Sequence, residues 1–539
     1  MRFNTRWVGA AALLGLTACG DLLNVRNLDV PDVARVLYDA ASVEQAVGGL
    51  GPQLNNTQRA SESVNTQSKI LAEESFASVA NFGMAARVAN RSLISNELGN
   101  DNQVGNRANF DQFHRVQRLA FNALSAYRAI VTAGRPGLPA AQENRMRAFA
   151  YLIAGNAIGY LSMAYDSVAV GYEGMNTVEI PDFLGADSAN AKAIEYLDSA
   201  VTIAGRGMSN TDVTWLSGNA MTQAQFIQVA RSYRARIRAG VARTPAERAA
   251  LPWALIIADA ENGITSDLNI SVYGTTGWNA TFDVTQSYVP GGWHSLPMTY
   301  VGMADTSGAY QTWAATAPAA RRAFLVQTPD LRWPRGTFRG ASCTAAAAVC
   351  DGQQTKTNIL PAGQLIRNRP PGDDVVAAGT GESFYDVRRY GLTQSNTSVP
   401  GTYTDMSRGE IAMLAAEGYL QTGNPGAAIP FINETRAAAG LAPVTLAGVP
   451  PNTVGSNDCV PKLPDGSCGD LWEAMKYEKR MSSMFTGYMI WFTDNRGWGD
   501  LRQNTAIEWP VPYQEMQARQ KSFYNGTRQQ TAASTYPTL

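Results

Sequence analysis

Histidine is nearly absent. The 539-residue chain holds two, His114 and His294. A Ser-His-Asp or Cys-His site would need one of them as its base. His114 falls inside an amphipathic helical pattern, where a structural role is the simpler reading. His294 lies in Pro290-Gly291-Gly292-Trp293-His294-Ser295, where it either touches a ligand or makes a backbone bond. There is no Gly-x-Ser-x-Gly elbow, no P-loop and no dinucleotide fingerprint. Charge is also scarce, 17% against a usual level of about 25%. The net charge of −1 gives no basic surface for nucleic acid. Beyond the N-terminus there is no run of about 18 apolar residues, so no membrane-spanning helix is predicted. Paired carboxylates could hydrolyse glycosides. With 45 acids in the chain, however, proximity of two carries little information. Glu410, Glu417, Glu478 and Asp494 sit in helical motifs and are expected to form caps or ion pairs. No catalytic residue, cofactor or metal is assigned.

Cysteine is rare, and its placement is informative. Arg2 and Arg6 precede an apolar stretch, Trp7 to Leu16, too short to span a bilayer. It ends in Leu16-Thr17-Ala18-Cys19, which looks like a bacterial lipobox. Residues 1–18 are therefore expected to be a lipoprotein signal peptide, with Cys19 the lipid-modified residue and the sole anchor. The alternative is a plain secretory leader with a chance cysteine. The other four cysteines form two close pairs, Cys343 with Cys350 and Cys459 with Cys468, in Gly-, Pro- and Asp-rich stretches. In an exported chain an even count predicts two local disulfides. A metal site is the weaker reading, since C-x2-C spacing is missing and histidine is scarce.

What the chain has in quantity is helical periodicity. After a tether over 19–41, helices are predicted from Ser42 (as N-cap) to Leu50, and over Phe113–Ala133, Met146–Tyr165, Ala189–Ala204, Thr222–Ala242 and Pro252–Ala260. Thr244 and Pro245 are read as a break. Residues 91–112, polar and rich in Gly and Asn, are read as a loop. Arg408 to Leu441 reads as a helical hairpin: Gly423 stops the first helix, Asn424 caps the second, and Pro425 opens it at N1. Tyr419, Gly423, Ala428 and Ile432 keep the large–small–small–large order of a tetratricopeptide hairpin. Pro430 is expected to kink the second helix. A further helix is predicted over Leu471–Phe485. The expected architecture is mainly α: a tetratricopeptide-like scaffold of about four helix hairpins over 42–263 and 406–539.

Residues 264–405 interrupt that pattern with an irregular, partly β, aromatic-rich insertion. Trp278, Tyr288, Trp293, Tyr300, Tyr310 and Trp313 fall within 36 residues, mixed with Gly, Asn, Ser and Thr. Such rings either form the insertion's own core or stack on the C–H faces of sugars, with nearby amides and hydroxyls bonding the sugar hydroxyls. At least two are expected to reach a ligand. Trp293 is the first choice, with Trp278, Tyr288, Trp313, Tyr310 and His294 as companions. Asn106 and Phe110 are weaker candidates.

Several stretches together resemble the SusD/RagB family. Glu410-x5-Ala416-Glu417, Thr422-Gly423-Asn424 and Ile432-Asn433-x2-Arg436-x3-Gly440-Leu441 resemble its C-terminal repeat. Arg147-Ala148-Phe149-Ala150-Tyr151 resembles its first-repeat signature, although Asp166-Ser167 stands where a Gly-Asp turn is usual. Glu478-Lys479-Arg480, then Trp491, Asp494, Arg496 and Gly497, then Pro510-Val511-Pro512-x2-Glu515, are similar to its closing segment. The resemblance implies a non-enzymatic lipoprotein on the outer membrane, facing the exterior. It implies capture of oligosaccharides or similar nutrients and their delivery to a SusC-like TonB-dependent transporter. The insertion matches no family motif. A secreted glycoside hydrolase and a tetratricopeptide-type assembly lipoprotein are the alternatives.

Overall fold

The structure is a computed structural model describing residues 38–77, 91–100, 103–176, 178–272, 278, 294–334, 363–368, 383–387, 389–390 and 400–531. The signal peptide, Cys19, the tether to residue 37, Tyr288, Trp293, Cys343 and Cys350 lie outside them. Among the described residues no helix is long and apolar enough to cross a membrane.

The fold is mainly α. Its first part contains α1 (Ala40–Gly48), α2 (Leu50–Gln58), α3 (Val64–Leu71), α4 (Gln103–Thr132), α5 (Ala140–Ala164), α6 (Ala186–Ala204), α7 (Gln223–Gly240), α8 (Pro245–Ala249) and α9 (Trp253–Glu261). The insertion contributes α10 (Met298–Ala304) and α11 (Ala309–Ala315). The chain closes with α12 (Arg408–Gln421), α13 (Pro425–Ala438), α14 (Leu471–Ser483), α15 (Ile490–Trp498) and α16 (Tyr513–Ala518). Short strands are β1 (Phe76–Ala77), β2 (Ser167–Ala169), β3 (Phe183–Gly185), β4 (Leu268–Val272), β5 (His294–Ser295), β6 (Ile366–Asn368), β7 (Tyr385–Val387) and β8 (Gly401–Met406).

The helices stack in a continuous series: α4 on α5, α5 on α6, α6 on α7, α7 on α9, α9 on α12, and α12 on α13 and α14. α5 is buried at nearly every position from Ala148 to Ala164, as expected of a helix that is apolar all round. Close approach depends on small residues. A Cβ on Gly418 of α12 would stand 2.5 Å from Ile257 of α9. Gly418→Val is therefore expected to overpack this joint and lower stability by about 1–3 kcal/mol, read from the urea midpoint; an unchanged midpoint would mean the joint is looser than the geometry states.

The step from α9 to α12 skips 146 chain positions (262–407), and the reason is visible at the base of the insertion. β4 and β8 pair antiparallel, from Leu268 opposite Met406 to Val272 opposite Gly401. The ends of the insertion are thus clamped together, and α12 resumes the stack where α9 left it. β5 pairs with β1 (Phe76 opposite Ser295), which docks the insertion on the segment after α3. β6 pairs with β7, and Leu296 N–H donates to Tyr385 O at 2.8 Å.

Several local expectations change. The first helix starts at Ala40, capped by Asp39, whose carboxylate accepts from Ser42 N–H at 2.8 Å. Ser42 is therefore inside the helix. α4 begins at Gln103, ten residues ahead of Phe113, so the second half of the 91–112 stretch is helical. Its polar residues are used inside the fold: Asn109 donates to Thr57 O and accepts from Val64 N–H. Thr244 and Pro245 start a helix rather than a break, Thr244 accepting from Glu247 N–H. α13 runs through Pro430 without interruption. Its capping site, Asn424, makes no side-chain cap bond, while Gly423 does take the left-handed conformation (φ 74°) expected of it. Cys459 and Cys468 are disulfide-bonded, Cα to Cα 5.7 Å, in the connection between α13 and α14.

Candidate functional site

The four carboxylates singled out in the sequence are all buried ion-pair partners. Glu410 takes two hydrogen bonds from Arg236 of α7, at 2.8 Å each. Glu417 takes two from Arg248, at 2.7 and 2.6 Å, and one from Trp498 Nε1 at 2.8 Å. Asp494 accepts from Arg248 at 3.0 Å and Lys479 at 2.7 Å. Glu478 accepts from Arg332 at 2.7 and 3.1 Å and lies 3.6 Å from Arg436. Burial pushes the Glu417 carboxyl up, but Arg248 and Lys479 outweigh it and hold it below the ordinary carboxylate range. These groups are fully engaged in joining helices. Their geometry suits scaffolding, not proton transfer.

The insertion's aromatics divide into two sets. Tyr300 is fully buried, its ring 5.7 Å from Trp333 and 5.0 Å from Trp491. Tyr310 is fully buried too, stacked on Trp313 at 5.7 Å. Trp313 is 5% exposed and carries the Arg321 guanidinium 4.3 Å from its centroid. Tyr310 and Trp313, expected as open stacking faces, are instead packed into the insertion's core beside Leu296, Val301 and Val326, and Trp313 keeps only an edge toward the cleft between insertion and scaffold. Trp278 is half-buried beside Val272 and packs on the core. His294 lies in β5, opposite Ala77. Trp293 immediately precedes it in the chain. Asn106 and Phe110 are buried in the scaffold: Asn106 donates to Ser95 O, and Phe110 N–H donates to the Tyr165 hydroxyl.

A cleft opens where the insertion meets the scaffold. Its walls are Glu73 and Arg91 from the segments around β1, Pro297 and Thr299 at the start of α10, Trp313 of α11, and Arg502 after α15. It is narrow, with about 20 Å³ open to water. Glu73 sits just beyond the end of α3 with φ 56°, a left-handed conformation that costs a non-glycine residue about 1 kcal/mol or more. Its carboxylate accepts from the Thr299 hydroxyl at 3.1 Å and stands 3.6 Å from Arg502 Nε. Arg91 donates to Ile70 O at 3.2 Å, to Leu71 O, and to Thr505 Oγ1 at 3.2 Å. Burial pushes its guanidinium down to about 10, with Glu73 opposing the shift. A second hollow adjoins through Glu73 and Thr299 and is lined by Tyr300, Arg480, Trp491 and Asp500.

A larger groove, with about 370 Å³ open to water, lies on the scaffold between α4, the loop after β2, and α16. His114 borders it. Its Nε2 accepts from Ala169 N–H at 3.3 Å, so Nδ1 carries the proton and donates to Phe110 O at 2.7 Å. Burial lowers its pKa to about 4, leaving a neutral imidazole that ties α4 to β2. The Glu73–Arg91–Arg502 group is not legible in the sequence. Its members come from three segments up to 429 positions apart, and none lies in a motif.

The chain's sequence matches no protein-family model and no curated protein. Solved structures do match. A SusD-like carbohydrate binding protein from Bacteroides fragilis is 11% identical, covering 93% of this chain and 96% of its own, with a TM-score of 0.55. A SusD superfamily protein from Bacteroides thetaiotaomicron is 10% identical over 92% and 100%, with a TM-score of 0.52. A SusD homolog from Parabacteroides distasonis is 11% identical over 84% of each chain, also with a TM-score of 0.52. At such low identity the agreement is one of backbone architecture, and it extends over most of the chain. The chain has the fold of the SusD superfamily.

Proposed function

We propose that the protein is a lipid-anchored binding protein of the outer membrane, held by Cys19 and facing the exterior. It captures oligosaccharides at the insertion and hands them to a SusC-like TonB-dependent transporter. The observation that carries this reading is the clamped insertion, which sets a narrow cleft bordered by Trp313 against the helical stack. The fold is shared with a protein described as SusD-like and carbohydrate binding. Trp293 and His294, with Tyr288 and Trp278 beside them in sequence, are proposed as the remaining ligand contacts, because β5 runs directly into the Pro297–Thr299 wall of the cleft. Cys343 and Cys350 are proposed as a second disulfide.

Capture is favoured over hydrolysis by the carboxylates. Glycoside hydrolysis needs an acid and a second carboxylate across the bond. Among the described lining residues of the cleft Glu73 is the single acid. In the adjoining hollow Asp500 is held by Lys476 at 2.9 Å and by Arg480. The test is calorimetric titration of residues 20–539 with an oligosaccharide panel, followed by product analysis. Saturable binding of intact glycan, weakened about tenfold or more by Trp293→Ala, is expected. Cleaved product would contradict the reading.

A further inference from the structure

We infer that the scaffold groove beside His114 is a second binding site, which takes a free α-amino acid with a large apolar side chain. The carboxylate and ammonium of its head group meet Arg118 and Glu179, and its side chain lies along the groove's floor. This goes beyond oligosaccharide capture and does not depend on it.

Space is the first ground. The groove has about 370 Å³ open to water, against about 20 Å³ in the cleft at the insertion. Phe110, Ala169, Met175, Ile180 and Pro181 give it apolar lining. Ile180 and its near neighbour Val178 are 69% and 81% exposed, so this wall has apolar surface left to cover. The polar side chains of the floor are already engaged. His114 is held at both ring nitrogens, and the Gln117 amide donates to Ala169 O and accepts from Gly171 N–H, both at 2.9 Å. Such a floor suits an apolar side chain better than the hydroxyls of a sugar, each of which needs a partner when taken out of water. Charge is the second ground. Asp111 pairs with Arg107, and Glu515 pairs with Arg519 at 2.6 Å. Two lining charges form no ion pair among the described residues, Arg118 and Glu179. They stand at one end of the groove, because Asn176 O accepts from the Arg118 guanidinium at 2.6 Å and from Glu179 N–H at 3.1 Å. The Glu179 carboxylate accepts from the Tyr172 hydroxyl at 2.8 Å, a bond that leaves its charge in place. One cation and one anion set this close complement an amino-acid head group, whose carboxylate and ammonium flank a single carbon. The guanidinium fork suits the carboxylate, and the Glu179 oxygens suit the ammonium. An apolar floor with a few placed polar groups at one end is the usual form of a small-molecule site.

The test is calorimetric titration of residues 20–539 with L-phenylalanine, L-leucine, glycine, N-acetyl-L-phenylalanine and L-phenylalanine amide. Saturable binding of phenylalanine and leucine is expected, with glycine and both blocked forms weaker by about tenfold or more. Arg118→Gln should weaken phenylalanine by a similar factor and leave the amide, which has no carboxylate, unchanged. Glu179→Gln should weaken phenylalanine and leave the N-acetyl form, which has no ammonium, unchanged. Ile180→Ser should weaken every ligand that carries the apolar side chain. An unchanged urea midpoint in each variant confirms that it is folded. Adding phenylalanine should slow hydrogen exchange at 110–118 and 169–181. Equal binding of free and blocked forms, binding unchanged in both charge variants, or no saturable binding of any free amino acid would overturn the inference, and oligosaccharide capture at the insertion would stand. An oligosaccharide that displaces phenylalanine from the groove would overturn both.

Discussion

Glu417→Gln is expected to lower stability by about 3–5 kcal/mol, since removing one partner of a buried pair strands the other. Glu417 is wholly buried and is shared by Arg248, Lys479 and the Trp498 indole. After substitution, Asp494 alone would face both cations, and a neutral amide cannot accept two charged donors as a carboxylate does. The loss should appear in the urea midpoint with its slope unchanged. The same site sets an acid limit. The Glu417 carboxyl is held below its ordinary range in the fold, as are Asp405 beside Arg59 and Arg236 and Asp500 beside Lys476 and Arg480; burial opposes the shift in each, and the cations outweigh it. A depressed carboxylate contributes stability that is complete above its unfolded pKa and is lost as pH falls through the folded one. Unfolding should therefore become easier as pH falls below about 4, and this part of the acid sensitivity should shrink in Glu417→Gln. A variant as stable as the wild type would show that the lattice is solvated and weak.

Trp333→Ala is expected to cost about 3–5 kcal/mol as well, through a large cavity, but with a different outcome for the molecule. Trp333 is completely buried and belongs to the insertion. Its indole donates to the Tyr477 hydroxyl of α14 at 3.1 Å, and its ring meets Tyr385 edge-on at 5.5 Å and Tyr300 at 5.7 Å. Beside it, Arg332 bridges Asp330 to Glu478. This cluster fastens the insertion to the C-terminal helices. Its loss should free the insertion before the stack: protease should cut within 264–405, and glycan binding should fail while the helical signal is largely kept. Glu417→Gln, confined to the stack, should weaken the whole fold without that selective cutting. Uniform cutting in both variants would mean that the insertion has no independent attachment.

The helical hairpins are legible in the sequence because each carries its own signals. Gly423 and Gly440 both take positive φ, and Ala428 and Ile432 are buried, as the spacing of that hairpin requires. Thr222 caps α7 with Gln225 completing a capping box. The ion pairs of Glu410, Glu417, Glu478 and Asp494 are legible as a type, though not their partners, most of which lie on other helices. The N-terminal part of α4 escapes a reading by periodicity because its inward face there is Gly105, Asn106 and Asn109, polar groups used for bonds rather than for apolar burial. The insertion is the harder part. An aromatic-rich stretch gives the same signal whether its rings make a core or a binding surface. Tyr300, Tyr310 and Trp313 are resolved as core only by burial. Arg91 is joined to the segment of Arg502 by long-range bonds, Ala506 N–H to Arg91 O and Arg91 to the Thr505 hydroxyl, and Arg502 reaches Glu73 across the chain, which no local pattern encodes.

The most direct test is hydrogen exchange on residues 20–539 with and without a saturating bound oligosaccharide. The account predicts slowed exchange around residues 70–76, 297–303 and 309–315, the borders of the cleft, with the scaffold groove beside His114 unchanged. Protection confined to that groove, around 110–118 and 169–181, with none at the insertion, would contradict the account and move the binding site to the helical stack.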